Sequence, residues 1–231
     1  LEGREDTSGY LDAVYARHPL AMGLITKRQA VAWTAFWAVA ALAGAWALNP
    51  ACAVLLAAGC ALEAAYCLLL KVTHLRALVN GVVKSLGGVA AVLAVDPAAP
   101  AWFPAMLFAM TFLWEIGGQN IPADWFALEL DRRQGARTMC VVLGTARAAK
   151  VSFWTLAGAT ALAWAILSLS PAKMPWWLAL AGAALVGWLT ALPARELGTK
   201  PTRESASKLF GRASYLPVAL LGTVIFWFVV R

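Results

Sequence analysis

Seven apolar blocks, each close to twenty residues long, dominate this sequence, at about 29–48, 51–70, 78–95, 101–119, 151–169, 175–193 and 214–230. A helix needs about 20 apolar residues to cross roughly 30 Å of hydrocarbon, and a backbone in lipid must satisfy its own hydrogen bonds. The blocks therefore predict an all-α fold, a polytopic transmembrane helical bundle with seven spans in this chain. The 61% of hydrophobic residues exceeds the roughly 45–50% of a soluble domain, and with only 13% charged residues a disordered chain, a fibre and an ordinary soluble enzyme are excluded.

The charges are distributed unevenly about those spans. Of 19 Lys and Arg residues, sixteen lie before the first span or in the links after the second, fourth and sixth, among them Lys71, Arg76, Arg132, Arg133, Arg137, Arg203 and Arg212. The links on the other side, Asn49-Pro50, 96–100 and 170–174, are short and carry one basic residue, Lys173. By the positive-inside rule the basic side is cytoplasmic. The domain plan is a cytoplasmic segment at 1–28 and a bundle at 29–231, with cytoplasmic loops at 71–77, 120–150 and 194–213. The net charge of +7 thus reads as topology, and no nucleic-acid partner is expected. The cysteines Cys52, Cys60, Cys67 and Cys140 show no CxxC pairing, and neither a disulfide framework nor a zinc site is expected. No signal peptide is visible ahead of residue 29.

The stretch from Trp114 to Gly144, WEIGGQNIPADWFALELDRRQGARTMCVVLG, carries most of the chemistry. Pro122 suits the first turn of a helix. On a continuous helix at about 100° per residue, Asn120, Asp124 and Asp131 point within roughly 40° of one another. An amide and two carboxylates on one face suit Mg²⁺, a hard cation usually held by one or two carboxylates together with substrate phosphate. The neighbouring Arg132, Arg133 and Arg137 offer donors for phosphate oxygens left free by a metal. Solvated charges of an ordinary loop are the alternative from spacing alone.

NIPADW, the downstream Asp131 and GARTMCVVLG resemble the second aspartate-rich motif of the UbiA superfamily of intramembrane prenyltransferases and the turn that follows it, with Gly135, Arg137 and Thr138 in the turn positions. Ala127 stands where many relatives carry an acid. The segment from Glu2 to Thr26 is similar to the first aspartate motif, through Asp6 and Asp12, and to the stretch after it, through His18, Pro19, Leu20 and Gly23; Asp6 and Asp12 are six residues apart rather than four. Tyr66 to Lys84 resembles the family's Tyr-to-Lys segment.

The resemblance implies an enzyme that moves a polyprenyl group from an allylic prenyl diphosphate to an aromatic or other small acceptor, in lipoquinone or related lipid biosynthesis. Its implied cofactor is Mg²⁺, with Asp6, Asp12, Asn120, Asp124 and Asp131 as metal ligands. Arg17, Lys71, Arg137 and Asn120 would bind the diphosphate, and Asp124, Asp131, Lys71 and Arg137 would carry the catalysis. The implied setting is a bacterial inner membrane with the active site facing the cytoplasm, and the complete protein is expected to hold nine spans, two of them ahead of Leu1. Arg76 reads as a topology signal. A membrane transporter and a noncatalytic family remnant are the alternatives.

Glu63, Lys84 and Glu115 fall inside predicted spans, where ionisable groups face a cavity or a partner. An ion pair of Lys84 with Glu63 or Glu115 is the first expectation, an acid lining an acceptor pocket the second. Asn80 and Lys84 are four apart and share a helix face. Trp102, Trp176 and Trp177 fit an aromatic belt at the outer side. Trp114 and Trp125 flank the acidic stretch, as interfacial anchors or as walls of a prenyl channel.

Overall fold

The computed structural model describes residues 19–20 and 23–231, and all regular structure among them is helical. The helices are α1 (Lys27–Leu48), α2 (Pro50–Leu68), α3 (Arg76–Val95), α4 (Trp102–Trp114), α5 (Ile121–Phe126), α6 (Leu128–Gln134), α7 (Met139–Leu143), α8 (Thr145–Leu169), α9 (Trp176–Leu189), α10 (Ala191–Thr199), α11 (Arg203–Ala213) and α12 (Leu216–Val230). Among the described residues six helices are long and apolar enough to cross a membrane. The remaining predicted span is helical over the expected residues but changes character: thirteen α residues to Trp114 are followed by six in π-helix, Glu115–Asn120.

Local chemistry explains the boundaries. Thr26 and Gln29 form a reciprocal capping box at the start of α1, which satisfies two otherwise orphaned groups. Asn49 ends α1 and starts α2: its Oδ1 accepts the Ala51 N–H at 2.9 Å and its Nδ2 donates to the Leu93 carbonyl at 3.0 Å. A single residue, Asn49, therefore suffices as the link on that side. Successive long helices pack in chain order, α1 on α2, α2 on α3, α3 on α4, α4 on α8, α8 on α9 and α9 on α12. The outward surfaces stay apolar, with Trp33, Phe36, Trp46 and Trp154 exposed, as a lipid-facing surface requires. Trp102, Trp176 and Trp177 are exposed at the end of the bundle with the short links.

The segments predicted as loops at 120–150 and 194–213 are mostly short helices, α5–α7 and α10–α11. Their apolar faces form one core with α8, in which Ile121, Met139, Cys140, Leu156, Leu197 and Leu209 are all nearly or fully buried. A polar end that is folded rather than looped can hold charged side chains in fixed positions.

Candidate active site at the polar end of the bundle

The π segment determines where the acidic stretch points. Gly117 and Gly118 run so close to α8 and α11 that a Cβ on Gly117 would lie 2.2 Å from Thr155 Oγ1 and 2.8 Å from the Ser152 carbonyl, and one on Gly118 would lie 2.9 Å from Ala213 Cβ. Ser152 donates its hydroxyl to the Gly117 carbonyl at 2.6 Å, and Trp114 Nε1 donates to the Ala213 carbonyl at 2.8 Å. A π turn holds an extra residue within the helix, a local change often found at functional sites. Here it delivers Glu115 and Asn120 to the same buried place.

That place is a cluster of amides around one carboxylate. Asn80 Nδ2, from α3, donates to Asn120 Oδ1 at 2.8 Å and to Glu115 Oε1 at 3.4 Å; Asn120 Nδ2 donates to the Glu115 carbonyl at 3.1 Å and to its Oε1 at 3.3 Å. The expected ion pair of Lys84 does not form among the described residues. Glu115 is satisfied by amides, with Lys84 acting on it only over a longer distance.

The predicted continuous helix through Asn120, Asp124 and Asp131 is interrupted. Ala127, at φ −90° and ψ 3°, separates α5 from α6, in the sparsely populated region between helix and strand. Asp124 and Asp131 nevertheless remain neighbours that feel each other's charge. Asp124 Oδ2 accepts the Met139 N–H at 3.0 Å. Burial pushes its carboxyl up to about 7, the Asp131 charge adds to this, and the Met139 amide and Arg76 oppose it. Burial also raises the Asp131 carboxyl, against the pull of Thr138 and Arg76. Ala127 is only 8% exposed, so an acid there would be buried in the core, and alanine suits this packing.

Arg76 is the residue that sequence reasoning missed. Its guanidinium lies 3.8 Å over the Tyr66 ring, its Nε is buried without a partner, and it interacts with both Asp124 and Asp131. Beside its place on the basic side of the bundle, the side chain is turned toward the acidic stretch. The available signal was its spacing of four from Asn80, which puts both on one face of α3. Tyr66, His74, Arg76, Asn120, Asp124 and Thr138 are among the residues around a cavity of ≈ 10 Å³, about the room of one water.

The other predicted residues fall into two groups. Lys71 and Arg137 are exposed on the rim, joined through the backbone where the Arg137 N–H donates to the Leu70 carbonyl at 2.8 Å. Gly135, at φ +68°, makes that approach possible by closing α6 in the left-handed conformation, with the Ala136 N–H returning to the Asp131 carbonyl at 2.8 Å, an arrangement that favours glycine. Asp6, Asp12 and Arg17 lie outside the described residues. Trp125 is buried in the core, and Trp114, partly buried, is held by its bond to Ala213. Cys140 is fully buried and its thiol is pushed up, first by burial, so it is not a reactive thiolate.

Among the described residues no three His, Cys, Asp or Glu side chains come together as a metal cage. Asp124 and Asp131 fit Mg²⁺ in another way, as two adjacent hard-oxygen carboxylates whose desolvation favours a nearby cation, the pattern of an ion that shares its coordination with substrate phosphate. Asn120 Oδ1 is turned toward Asn80.

The fold and site define an α-helical integral membrane protein with a carboxylate and guanidinium centre at one end of its spans. The UbiA prenyltransferase family model matches residues 11–216, and the chain belongs to that family. Its fold is similar to the apo structure of a UbiA homolog from Aeropyrum pernix K1, with a TM-score of 0.68 and 22% identity over 94% of this chain and 78% of that one. No curated protein sequence matches it.

Proposed function

We propose that this chain transfers a polyprenyl group from an allylic prenyl diphosphate to an aromatic or other small acceptor, with Mg²⁺ as cofactor, at the cytoplasmic face of a bacterial inner membrane, in lipoquinone or related lipid biosynthesis. The observation that carries the reading is the arrangement of Asp124 and Asp131 beside Arg76, whose Nε has no partner. Asp124 and Asp131 would hold the cation, which supplies Lewis-acid stabilisation of the departing diphosphate. Arg76 would donate to a phosphate oxygen, and Lys71 and Arg137 would neutralise charge from the rim. The allylic C–O bond breaks with its electron pair leaving on the diphosphate, an acceptor atom bonds to the allylic carbon, and the acceptor gives up a proton. The apolar bundle excludes water, which would otherwise capture the allylic cation. Asp6, Asp12 and Arg17 complete the proposed site from the N-terminal segment, and the basic links support the cytoplasmic orientation.

Equilibrium binding of a non-ionisable prenyl thiodiphosphate, with Mg²⁺ or EDTA, tests this directly. Binding should require Mg²⁺ and be lost in Asp124→Ala and Asp131→Ala. Binding indifferent to metal and to both substitutions would remove the proposal and return the transporter reading.

Two further outcomes are expected. Arg76→Met should weaken binding of the thiodiphosphate by about tenfold or more, the usual scale for a charge-assisted hydrogen bond of roughly 1.5–3 kcal/mol, while Arg132→Met, at an exposed residue paired with Glu129 at 3.7 Å, should change it less than twofold, on the order of what a surface ion pair contributes. Equal effects would return Arg76 to a topological role.

The pH dependence follows from Asp124, whose carboxyl is pushed up to about 7. Metal binding needs the carboxylate, so Mg²⁺ affinity should climb by about tenfold per pH unit below 7 and level off above it. The ligand-free fold should behave oppositely. Between the ordinary value of 3.8 and about 7 the folded state holds the proton that the unfolded chain has released, so stability falls as pH rises through this window. Mg²⁺ titrations and melting curves from pH 5 to 8 read both signs, and a flat affinity profile would contradict the assignment.

A further inference from the structure

The charges of α10 and α11 take no part in the acidic site. The segment 194–213 carries five basic residues against two acidic ones. One face of α11 is buried through Ser205, Ala206, Leu209 and Ala213, while Glu204 and Lys208 are exposed and Arg212 is half-buried. These last three are spaced by four and so form one stripe along the helix. Across from them, Glu196 of α10 accepts from Lys208 Nζ at 2.6 Å, and Lys200 and Arg212 also act on its charge. One carboxylate thus faces three cations, which leaves an excess of positive charge on an exposed surface.

This surface is turned away from Asp124 and toward lipid. The Arg203 guanidinium lies 4.0 Å over the Phe126 ring, and Phe126 follows Asp124 by two positions on α5, about 200° around the helix. An open groove of ≈ 670 Å³ lies on that side, lined by Phe126, Arg203, Glu204, Ser207 and Lys208. At the other end of the stripe the Arg212 guanidinium sits 5.0 Å over the ring of Trp188, which is 50% exposed on the apolar outside of α9, with Leu192 and Tyr215 also exposed. Trp and Tyr at such a boundary mark the level of lipid headgroups. A soluble anion would use only the charge of this surface, whereas a phospholipid with a net negative headgroup uses both the cations and the apolar wall beside them, as basic pockets at the ends of membrane helices do.

We propose that α10 and α11 seat an anionic phospholipid: its phosphate lies between Lys208 and Arg212, the rest of its headgroup enters the groove beside Ser207, and an acyl chain runs along Trp188 and Leu192. The site is independent of the proposed prenyl transfer and would hold the polar end of the bundle at a fixed depth against an anionic leaflet.

The test measures binding of phosphatidylglycerol, and of phosphatidylcholine with the same acyl chains, to the full chain purified in a nonionic detergent. A basic residue at an anionic lipid surface is worth about fivefold in affinity, so two of them should give the wild type a preference for phosphatidylglycerol of about tenfold or more. Lys208→Gln combined with Arg212→Gln should bring that preference within about twofold. Lys27→Gln combined with Arg28→Gln, an equal loss of charge from exposed residues at the start of α1, should leave it intact. Melting temperatures check that each variant folds, and the exposed Lys200→Gln, expected to lower the preference severalfold, serves should the α11 double variant not fold. Phosphatidylglycerol with brominated acyl chains should quench the wild-type fluorescence saturably, and Trp188→Phe, which keeps a ring beneath Arg212, should lose part of that quenching. Equal affinity of the wild type for the two lipids, or equal effects of the two double variants, would overturn the proposal. Displacement of the lipid by an equal concentration of glycerol phosphate would overturn it in favour of a soluble anion, and displacement by an acidic peptide in favour of a protein partner.

Discussion

Asp124→Asn should lower kcat/KM for a prenyl diphosphate by on the order of 10³-fold, the scale seen when a preorganised electrostatic group is removed from a reacting centre, while the protein folds and melts almost as the wild type does. The substitution keeps size and shape and retains an oxygen able to accept the Met139 N–H, now at 3.0 Å. What it removes is the negative charge. Because burial already pushes the Asp124 carboxyl up to about 7, the neutral side chain is well tolerated by the apo fold, and the loss should fall on function rather than stability. Thiodiphosphate binding to this variant should lose its Mg²⁺-dependent part. Activity within tenfold of wild type would show that Asp124 is structural and would shift attention to Asp131.

Gly117→Val should prevent the bundle from closing. A Cβ at this position meets Thr155 Oγ1 at 2.2 Å and the Ser152 carbonyl at 2.8 Å. Thr155 can give way only by surrendering its bonds to the Val151 and Ser152 carbonyls, and the Ser152 carbonyl belongs to the α8 backbone. Overpacking a well-filled core typically costs about 1–3 kcal/mol and occasionally more; here the clash is with backbone and also displaces the bond from Ser152 to Gly117, so about 3 kcal/mol or more is expected. Thermal melting in detergent should show a large drop or no folded protein, and Thr155→Ala should rescue it only in part. Gly198→Ala, where a new Cβ meets nothing within 4 Å, should be neutral or slightly stabilising. Wild-type melting of Gly117→Val would mean that the π segment shifts freely.

Six of the seven expected spans are long and apolar enough to cross a membrane among the described residues, legible because hydrophobic length is a property of the chain alone, and one boundary moved at Gly144, which starts α8 at Thr145, six residues before the apolar block. The neighbouring acids Asp124 and Asp131 were legible from spacing, although through a break at Ala127 rather than along one helix. The π turn was not, because it arises from the approach of Gly117 and Gly118 to α8 and α11, a tertiary contact without a local signature. Arg76 was obscured for a different reason: an arginine at the membrane boundary is already accounted for by topology, and only the Tyr66 ring beneath it and the acids beside it reveal its other orientation. Asn120 was expected as a ligand and is found in a network with Asn80 and Glu115, residues on a different helix and on the π turn, whose partnership no periodicity encodes.

The single backbone bond from Arg137 to Leu70 joins the turn after the two acids to the segment that carries Lys71. Such a bond contributes about 1 kcal/mol net, so it sets the register of two segments whose hold on each other comes mainly from the buried core beneath them. A substitution that displaces either segment of that contact should therefore be felt on the other side of it, at Lys71 as well as at Gly135.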